Sequence, residues 1–210
     1  MVVQLSKITM SLKEVKTKFI VDVATDLFLR SSISSVTIKD ISIAADVGEA
    51  TVYRYFVNKE NIIIACINKL MEMVARDYFK LSQGKTGYEK LSIFYNSFLD
   101  VFKDNPDFYF FLKEFDAYIY AQHVKDLKAY ERDISQYKAY FINAYELGLQ
   151  DGSVKEIKNI DVFYFASSHS LLELCKKLSL KRALLTQDKS IKKVAEIQCL
   201  VRLILQSLKA

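Results

Sequence analysis

The segment VGEATVYRYFVNKE, residues 47–60, brings two tyrosines, a phenylalanine and an arginine into little more than two helical turns. At about 100° per residue, Val52 and Phe56 share one face of such a helix. Tyr53 and Tyr55 then lie on the two flanks of that face. The pattern indicates a helix with one buried face and one displayed face.

The displayed face carries Ala50, Thr51 and Arg54. Small side chains allow a close approach to a surface, and a threonine methyl can contact a thymine methyl. A guanidinium can bind a guanine edge or a phosphate. These residue types fit a helix that enters the major groove of DNA. The alternative is an ordinary packing helix with tyrosines at its surface.

Three further side chains near this helix could contact DNA. The hydroxyls of Tyr53 and Tyr55 can reach phosphates on both walls of a groove. Lys59 begins a following helix, where free backbone amides and the helix dipole also favour a phosphate. Glu49 is the acidic neighbour of this set, and it can accept a hydrogen bond from cytosine N4.

A second short helix is predicted just before the first. Thr37 as N-cap and Asp40 three residues later form a capping box. Thr37 could cap its helix, touch a phosphate, or do both. Helices at 37–45 and 49–56, joined by a short turn, fit a helix-turn-helix motif.

The composition predicts an all-α protein without a dense basic region. The 210 residues include five glycines and one proline, so long helices with short connections are expected. The net charge is +5, but residues 1–60 hold eight Lys and Arg against seven Asp and Glu. Any DNA binding must therefore come from a few well-placed residues rather than from a basic block.

Other function classes find little support in the sequence. There is no glycine-rich phosphate loop, no GxSxG and no HExxH, so no enzyme, cofactor or metal site is predicted. Cys66, Cys175 and Cys199 lie far apart and are predicted to be small core residues in a reducing compartment. No signal peptide or membrane span is recognisable, which predicts a cytoplasmic protein.

Apolar periodicity and capping residues divide the chain into helices. Residues 1–10 are predicted to be a frayed tail, and Asn58 and Asn105 are predicted N-caps. The predicted helices span residues 12–30, 37–45, 49–56, 59–81, 88–103, 106–120, 124–149, 160–181 and 187–208. The last two are apolar over more than half of their circumference, which predicts that they pair with a second copy of the chain.

Residues 19–62, FIVDVATDLFLRSSISSVTIKDISIAADVGEATVYRYFVNKENI, resemble the N-terminal DNA-binding domain of the TetR/AcrR family of transcriptional regulators. The matching residues are Ala24, Leu27, Phe28, Thr37, Ile43, Ala44, Thr51, Tyr53, Tyr55, Phe56, Lys59 and Glu60. Asp46 and Gly48 depart from the family, which usually has glycine and serine around the turn valine.

The resemblance implies a two-part protein. Residues 1–58 would form a helix-turn-helix DNA-binding domain, and residues 59–210 a helical ligand-binding and dimerisation domain. The homodimer would form through the last two helices. The DNA-binding residues implied by the wheel and the family pattern are Thr37, Gly48, Glu49, Ala50, Thr51, Tyr53, Arg54, Tyr55 and Lys59.

Aromatic residues are dense between positions 88 and 145, as in pockets for apolar ligands and equally in plain helical cores. His169 lies in an apolar helix, where a core histidine is the alternative to a ligand contact. Lys176 is expected at a solvated helix end. The predicted ligand-binding residues are Tyr95, Phe98, Phe102, Phe111, Phe115, Tyr137, Phe141, Phe165 and His169.

The resemblance therefore implies a ligand-responsive transcriptional regulator of the repressor type. It would bind a pseudo-palindromic double-stranded DNA operator as a homodimer and be released by a small apolar or aromatic effector. The alternative function is a helical protein–protein interaction or scaffold protein without sequence-specific DNA binding.

Overall fold

The computed structural model describes residues 11–180 and 190–210, and this part of the chain confirms the all-α prediction. The α-helices in these residues are α1 (Leu12–Arg30), α2 (Ile38–Ala44), α3 (Glu49–Tyr55), α4 (Lys59–Asp77), α5 (Gly87–Asp104), α6 (Pro106–Gln122), α7 (Lys128–Gln150), α8 (Ile160–Leu178) and α9 (Lys193–Leu208), with a 3-10 helix at Leu81–Gln83. No described helix combines the length and the hydropathy that a bilayer crossing requires. The tail predicted at residues 1–10 lies outside the described residues.

The chain divides into two compact units, one up to Cys66 and one from Ile67 onward. The sequence placed this boundary at residues 58 and 59, before α4. The first two turns of α4 instead belong to the N-terminal unit. Ile62 and Ile63 are fully buried, and the Cys66 thiol lies 3.8 Å from the Val21 carbonyl oxygen.

In the N-terminal unit, two capping boxes fix where helices begin. Ser11 caps α1 together with Glu14, and Thr37 caps α2 together with Asp40. α1 packs against α2, and α2 packs against α3. The buried apolar side chains of this unit are Ile20, Val21, Ala24, Phe28, Ile33, Val36, Ile41, Ala45, Val52, Phe56, Ile62, Ile63 and Cys66.

The turn between α2 and α3 depends on one residue with a left-handed backbone. Asp46 has a φ of 50°, a conformation that glycine adopts freely and that aspartate tolerates better than most residues. The Val47 amide closes the turn by donating to the Ser42 carbonyl at 3.0 Å. Asp46 stands where the family that the sequence resembles usually has glycine, and glycine would be unstrained at this φ.

In the C-terminal unit, α5 is the central helix and packs against α6, α7, α8 and α9. Its side chains Leu91, Phe94 and Tyr95 are almost completely buried. The Tyr95 hydroxyl shares a 2.7 Å hydrogen bond with Ser167 on α8. This bond satisfies a buried phenol and fixes α8 against α5.

Several helix ends differ from the sequence-based bounds. α4 ends at Asp77 rather than near residue 81, and beyond its end the Tyr78 carbonyl accepts from the Lys80 amide and the Ser97 hydroxyl, both at 2.9 Å. Asn105 is the N-cap residue of α6 and Pro106 directly follows it, as predicted, but the Asn105 side chain makes no capping hydrogen bond. The Asn105 side-chain amide instead donates to the Tyr78 hydroxyl at 2.6 Å. Asn58 does cap α4, since its side chain accepts from the Asn61 amide at 2.9 Å.

α7, α8 and α9 are each shorter than predicted at one end, whereas α6 continues to Gln122. His123 has a φ of 52°, which ends α6, and α7 begins only at Lys128 rather than at residue 124. α8 ends at Leu178 rather than at residue 181. α9 begins at Lys193, because the backbone of Lys192 is extended. The start predicted near residue 187 lies outside the described residues.

Two side chains lie in environments that the sequence did not predict. Lys176 is buried at 5% exposure rather than solvated, because its ammonium binds the carboxylates of Asp116 on α6 and Glu173 on α8. Cys199 is exposed rather than part of the core. Cys175 is a core residue, and burial raises the pKa of its thiol to about 12.

The start of α5 lies directly against α7 at a pair of glycines. A Cβ atom on Gly87 would lie 2.1 Å from the Gly148 backbone nitrogen. The Gly87 amide also donates to the Asp151 carboxylate at 2.8 Å. Only a residue without a side chain allows the two backbones to approach this closely.

Gly87→Ala is therefore expected to lower the free energy of unfolding by about 3 kcal/mol, because the new methyl meets backbone atoms that cannot rotate away. Urea denaturation followed by circular dichroism measures this loss. Leu149→Ala is the control, since that side chain is 41% exposed and its removal should cost less than about 1 kcal/mol. Equal stability of Gly87→Ala and the wild type would contradict the close approach.

At the α2–α3 turn, Asp46→Ala is expected to lower the free energy of unfolding by about 1 kcal/mol, because alanine resists a positive φ. Asp46→Gly should leave stability unchanged or raise it. The two variants are compared by thermal unfolding under one set of conditions. Equal melting temperatures for the alanine and glycine variants would contradict the left-handed backbone conformation at Asp46.

Candidate DNA-binding face and ligand cavity

The exposure of α3 follows the division between a buried and a displayed face. Val52 is fully buried and Phe56, directly after the helix, is 7% exposed. Tyr53, on one flank, is 51% exposed. The predicted contact residues Gly48, Glu49, Ala50 and Arg54 are exposed, and Thr51 and Tyr55 are half-buried. The face therefore presents small, cationic and phenolic groups to solvent.

Arg54 and Tyr55 form an ordered pair on this face. The Arg54 guanidinium carbon lies 5.3 Å from the centre of the Tyr55 ring, a cation–π arrangement. The ring restricts the guanidinium without using its N–H donors. The donors of Arg54 thus remain available for an acceptor outside the protein.

Thr37 is engaged by its own helix. Its hydroxyl donates to the Asp40 carboxylate at 2.7 Å and accepts from the Asp40 amide at 3.1 Å. The Thr37 hydroxyl and amide together hold the pKa of the Asp40 carboxyl below its usual value. A phosphate at this position would therefore have to share the Thr37 hydroxyl with the capping box.

Lys59, predicted to bind a phosphate, has a partner within the N-terminal unit. Its ammonium donates to the Ile33 carbonyl, in the loop between α1 and α2. Burial lowers the pKa of Lys59, and the nearby Asp40 carboxylate opposes this effect. An ammonium has three donors, so this contact leaves capacity for a further acceptor.

The C-terminal unit contains an aromatic cavity of about 150 Å³. Side chains from α4, α5, α6, α7 and α8 contribute to its wall. The lining residues are Met71, Val74, Phe79, Phe94, Phe98, Phe108, Tyr109, Leu112, Tyr130, Ile134, Tyr137, Tyr164, Phe165, Ser168, His169 and Leu172. A cavity of this volume, walled mainly by aliphatic and aromatic side chains, can hold a molecule of about one aromatic ring.

The predicted ligand-binding residues divide between this cavity and the packed core. Those that line the cavity are Phe98, Tyr137, Phe165 and His169. Those that lie in the core instead are Tyr95, Phe102, Phe111, Phe115 and Phe141. These side chains pack against other rings or form hydrogen bonds within the core. Phe141, for example, stacks on Tyr145 with an interplanar angle of 5°.

Burial separates these two groups in a way that residue type could not. His169 is exposed beside Phe165, and the centres of the two rings lie 5.5 Å apart, so the alternative of a core histidine is wrong.

Ser168 is a cavity residue that the sequence analysis did not identify, because nothing in residue type distinguishes it from its neighbour Ser167. Ser167 forms a hydrogen bond with Tyr95 in the core, whereas Ser168 lines the cavity.

No group of histidine, cysteine or acidic residues suited to a metal ion occurs in the described ranges.

α8 and α9 each leave apolar side chains in solvent. On α8, Val162 is 62% exposed and Phe165 is 43% exposed. On α9, Leu203 is 57% exposed, and Cys199 lies one turn before it. The two helices pack against each other, so these side chains belong to one structural unit.

Comparison with known proteins was made for sequence and for fold. Residues 20–66 match the sequence model of the bacterial regulatory proteins of the tetR family. This range includes all of α2 and α3 and most of α1. No curated protein matches the chain by sequence.

Solved structures of bacterial regulators share the fold over nearly the whole chain. KstR2, a ketosteroid transcriptional regulator of Mycobacterium tuberculosis, superposes with a TM-score of 0.66 at 12% identity, covering 93% of this chain and 95% of its own. A TetR/AcrR-family regulator from Thermobifida fusca YX-ER1 gives 0.64 at 15%, covering 90% and 96%. FadR from Bacillus subtilis, solved with stearoyl-CoA, gives 0.62 at 18%, covering 90% and 98%.

The sequence match and the fold agree along the chain. The match covers the helix-turn-helix with its exposed face, and the structural likeness extends through the helices that hold the cavity. Identities of 12–18% establish the fold and leave the ligand open. Residues 20–66, which hold the helix-turn-helix, therefore match the tetR family of bacterial regulatory proteins, and nearly the whole chain has the fold of solved transcriptional regulators, one of them a TetR/AcrR-family regulator.

Proposed function

We propose that this protein is a ligand-responsive transcriptional repressor that binds a pseudo-palindromic operator as a homodimer. The observation that carries the proposal is the exposed face of α3, which presents small side chains and Arg54 between two tyrosines. A helix of these dimensions fits the major groove of B-DNA. Because a transcriptional repressor must reach chromosomal DNA, we also propose that the protein is cytoplasmic.

The proposed DNA contacts fall into two classes. Arg54, held against Tyr55, reads a guanine edge or binds a phosphate. Tyr53 places its hydroxyl on a phosphate of the groove wall. Ala50 and Thr51 lie against base edges because they are small enough to permit close approach, and Gly48 and Glu49 enter at the start of the helix. Thr37 and Lys59 make weaker phosphate contacts, because the Thr37 hydroxyl and the Lys59 ammonium already have hydrogen-bond partners within the protein.

The proposed dimer forms through the exposed faces of α8 and α9. Burial of Val162, Phe165 and Leu203 against a second chain would remove apolar side chains from solvent. A two-fold axis would present the same patch on each copy. Two recognition helices would then lie about 34–36 Å apart and enter successive major grooves.

The proposed effector binds in the aromatic cavity and weakens operator binding. α4 has residues in both compact units, with Ile62 and Ile63 in one and the cavity residues Met71 and Val74 in the other. A ligand that repositions α4 would favour a dimer with a different separation of its recognition helices. By thermodynamic linkage, operator DNA must then weaken ligand binding by the same factor.

This linkage gives a direct test of the repressor mechanism. Effector affinity is measured by calorimetry with and without saturating operator, once a bound DNA and a ligand are in hand. A lower affinity in the presence of operator supports release by the effector. Equal affinities would exclude it, because a ligand shifts an equilibrium only through its differential affinity for the two states.

The recognition face is tested by two substitutions on α3. Arg54→Ala is expected to cost about 1–3 kcal/mol of operator binding and to relax the preference at one base pair. Tyr53→Phe should weaken binding by a similar factor on every sequence, because it loses only a phosphate contact. Fluorescence anisotropy against a set of single-base operator variants separates the two effects. Unchanged affinity in both variants would contradict the assignment of this face.

The dimer is tested by introducing a charge on α9. Leu203→Arg is expected to shift the protein from dimer to monomer at micromolar concentration, because a desolvated arginine would face its own symmetry copy. Analytical ultracentrifugation measures the shift. Leu149→Arg is the control, since Leu149 is comparably exposed but lies on α7. A dimer that survives Leu203→Arg would place the interface elsewhere.

A further inference from the structure

The aromatic cavity contains two hydroxyls that the protein does not use. Tyr137 Oη on α7 and Ser168 Oγ on α8 are shielded from solvent and have no hydrogen-bond partner among the described residues. Both residues line the cavity. The remaining atom of this kind in the described ranges, Asn68 Oδ1, belongs to a residue outside the cavity wall.

Neighbouring residues show that unpaired hydroxyls are not general in this unit. Ser167 bonds to Tyr95 and also donates to the Phe163 carbonyl at 2.6 Å. The Tyr109 hydroxyl, also on the cavity wall, donates to the Phe98 carbonyl at 2.9 Å. Buried polar groups in folded proteins are nearly always paired, so unpaired ones that face a cavity indicate a bound molecule.

The wall carries no charged side chain that would select an ion. Among the described lining residues there is no aspartate, glutamate, lysine or arginine. Burial raises the pKa of the Tyr137 phenol well above its usual value, so this hydroxyl is neutral and can donate. The nearby ammonium of Lys138 is paired with Asp161 at 2.8 Å. The one imidazole on the wall, His169, is exposed, so a charge buried deeper in the cavity beside Tyr137 and Ser168 would have no acidic, lysine or arginine partner, and its desolvation would oppose binding.

We propose that the effector is a neutral, mostly apolar molecule of about one ring that carries a hydroxyl or carbonyl oxygen, bound by Tyr137 and Ser168. This inference rests on the proposed effector site and specifies its chemistry. The aromatic wall supplies the affinity for the ring. The two hydroxyls select ligands with an oxygen, because a hydrocarbon would leave both of them unpaired.

The same argument predicts the stability of the free protein. A buried hydroxyl without a partner is a cost that the protein bears for binding. Tyr137→Phe and Ser168→Ala should therefore fold with melting temperatures equal to or above that of the wild type. Ser167→Ala should instead lower the melting temperature, because it breaks the bond to Tyr95.

The test compares p-cresol with p-xylene, two ring probes that differ by a hydroxyl in place of a methyl. Calorimetry with the full-length protein is expected to give p-cresol an affinity at least equal to that of p-xylene. The double variant Tyr137→Phe with Ser168→Ala should prefer p-xylene by about tenfold or more, since the cresol hydroxyl then has no partner. Tyr140→Phe, outside this cavity, is the control and should keep the wild-type order.

The possible outcomes separate this inference from the proposed function. A reversal of preference in the double variant alone supports the assignment of both hydroxyls. If p-xylene binds more tightly than p-cresol in the wild type and the double variant alike, the oxygen requirement is wrong and the apolar effector site stands. If p-toluate or 4-methylbenzylamine binds more tightly than p-cresol, the neutral class is wrong. If no ring probe binds, this inference and the placement of the effector in the cavity both fail, whereas the proposed DNA binding, which rests on α3, is judged by the anisotropy measurements alone.

Discussion

The burial of Val52 and Phe56 is the constraint on which the DNA-binding face depends. α3 has only seven residues, and a helix this short is not stable on its own in water. Its orientation is therefore set by the side chains that it buries, together with the turn at Asp46 that precedes it. Once Val52 points inward, helical geometry places Ala50 and Arg54 outward and Tyr53 on the flank. The functional surface is thus a consequence of packing on the opposite side of the same helix.

The C-terminal unit combines a tightly packed core with a cavity that is not filled. Around α5, rings and hydroxyls satisfy one another, as Tyr95 and Ser167 do. On the cavity side, the neighbouring Ser168 and the Tyr137 phenol remain unpaired. The contrast is physically informative, because the two serines differ by about 100° around α8 and by nothing else in their chemistry. The paired hydroxyl of Ser167 stabilises the core, whereas the unpaired hydroxyl of Ser168 is available to bind a ligand.

The sequence predicted the DNA-binding unit far better than the cavity. The wheel at residues 47–60 depends on helical period alone, and the Thr37 and Asp40 capping box is local, so both were readable from neighbouring residues. The cavity depends on which rings from five helices point toward one space. Phe98 and Phe102 both look like ligand contacts in sequence, yet only Phe98 lines the cavity. Lys176 was expected in solvent because its partner Asp116 lies 60 residues earlier in the chain.

The most direct test of the central claim is a fluorescence-anisotropy titration of the wild-type protein against DNA from just upstream of its own gene. A scrambled duplex of the same length and composition serves as the reference, and both are measured at several salt concentrations. A sequence-specific regulator should bind the upstream DNA tightly, with two chains per site, and the scrambled duplex only weakly. The near-balanced charge of residues 1–60 predicts a shallow salt dependence for the specific complex, since few phosphates are neutralised. Equal, weak and strongly salt-dependent binding to both duplexes, repeated on fragments selected from the whole genome, would contradict the account.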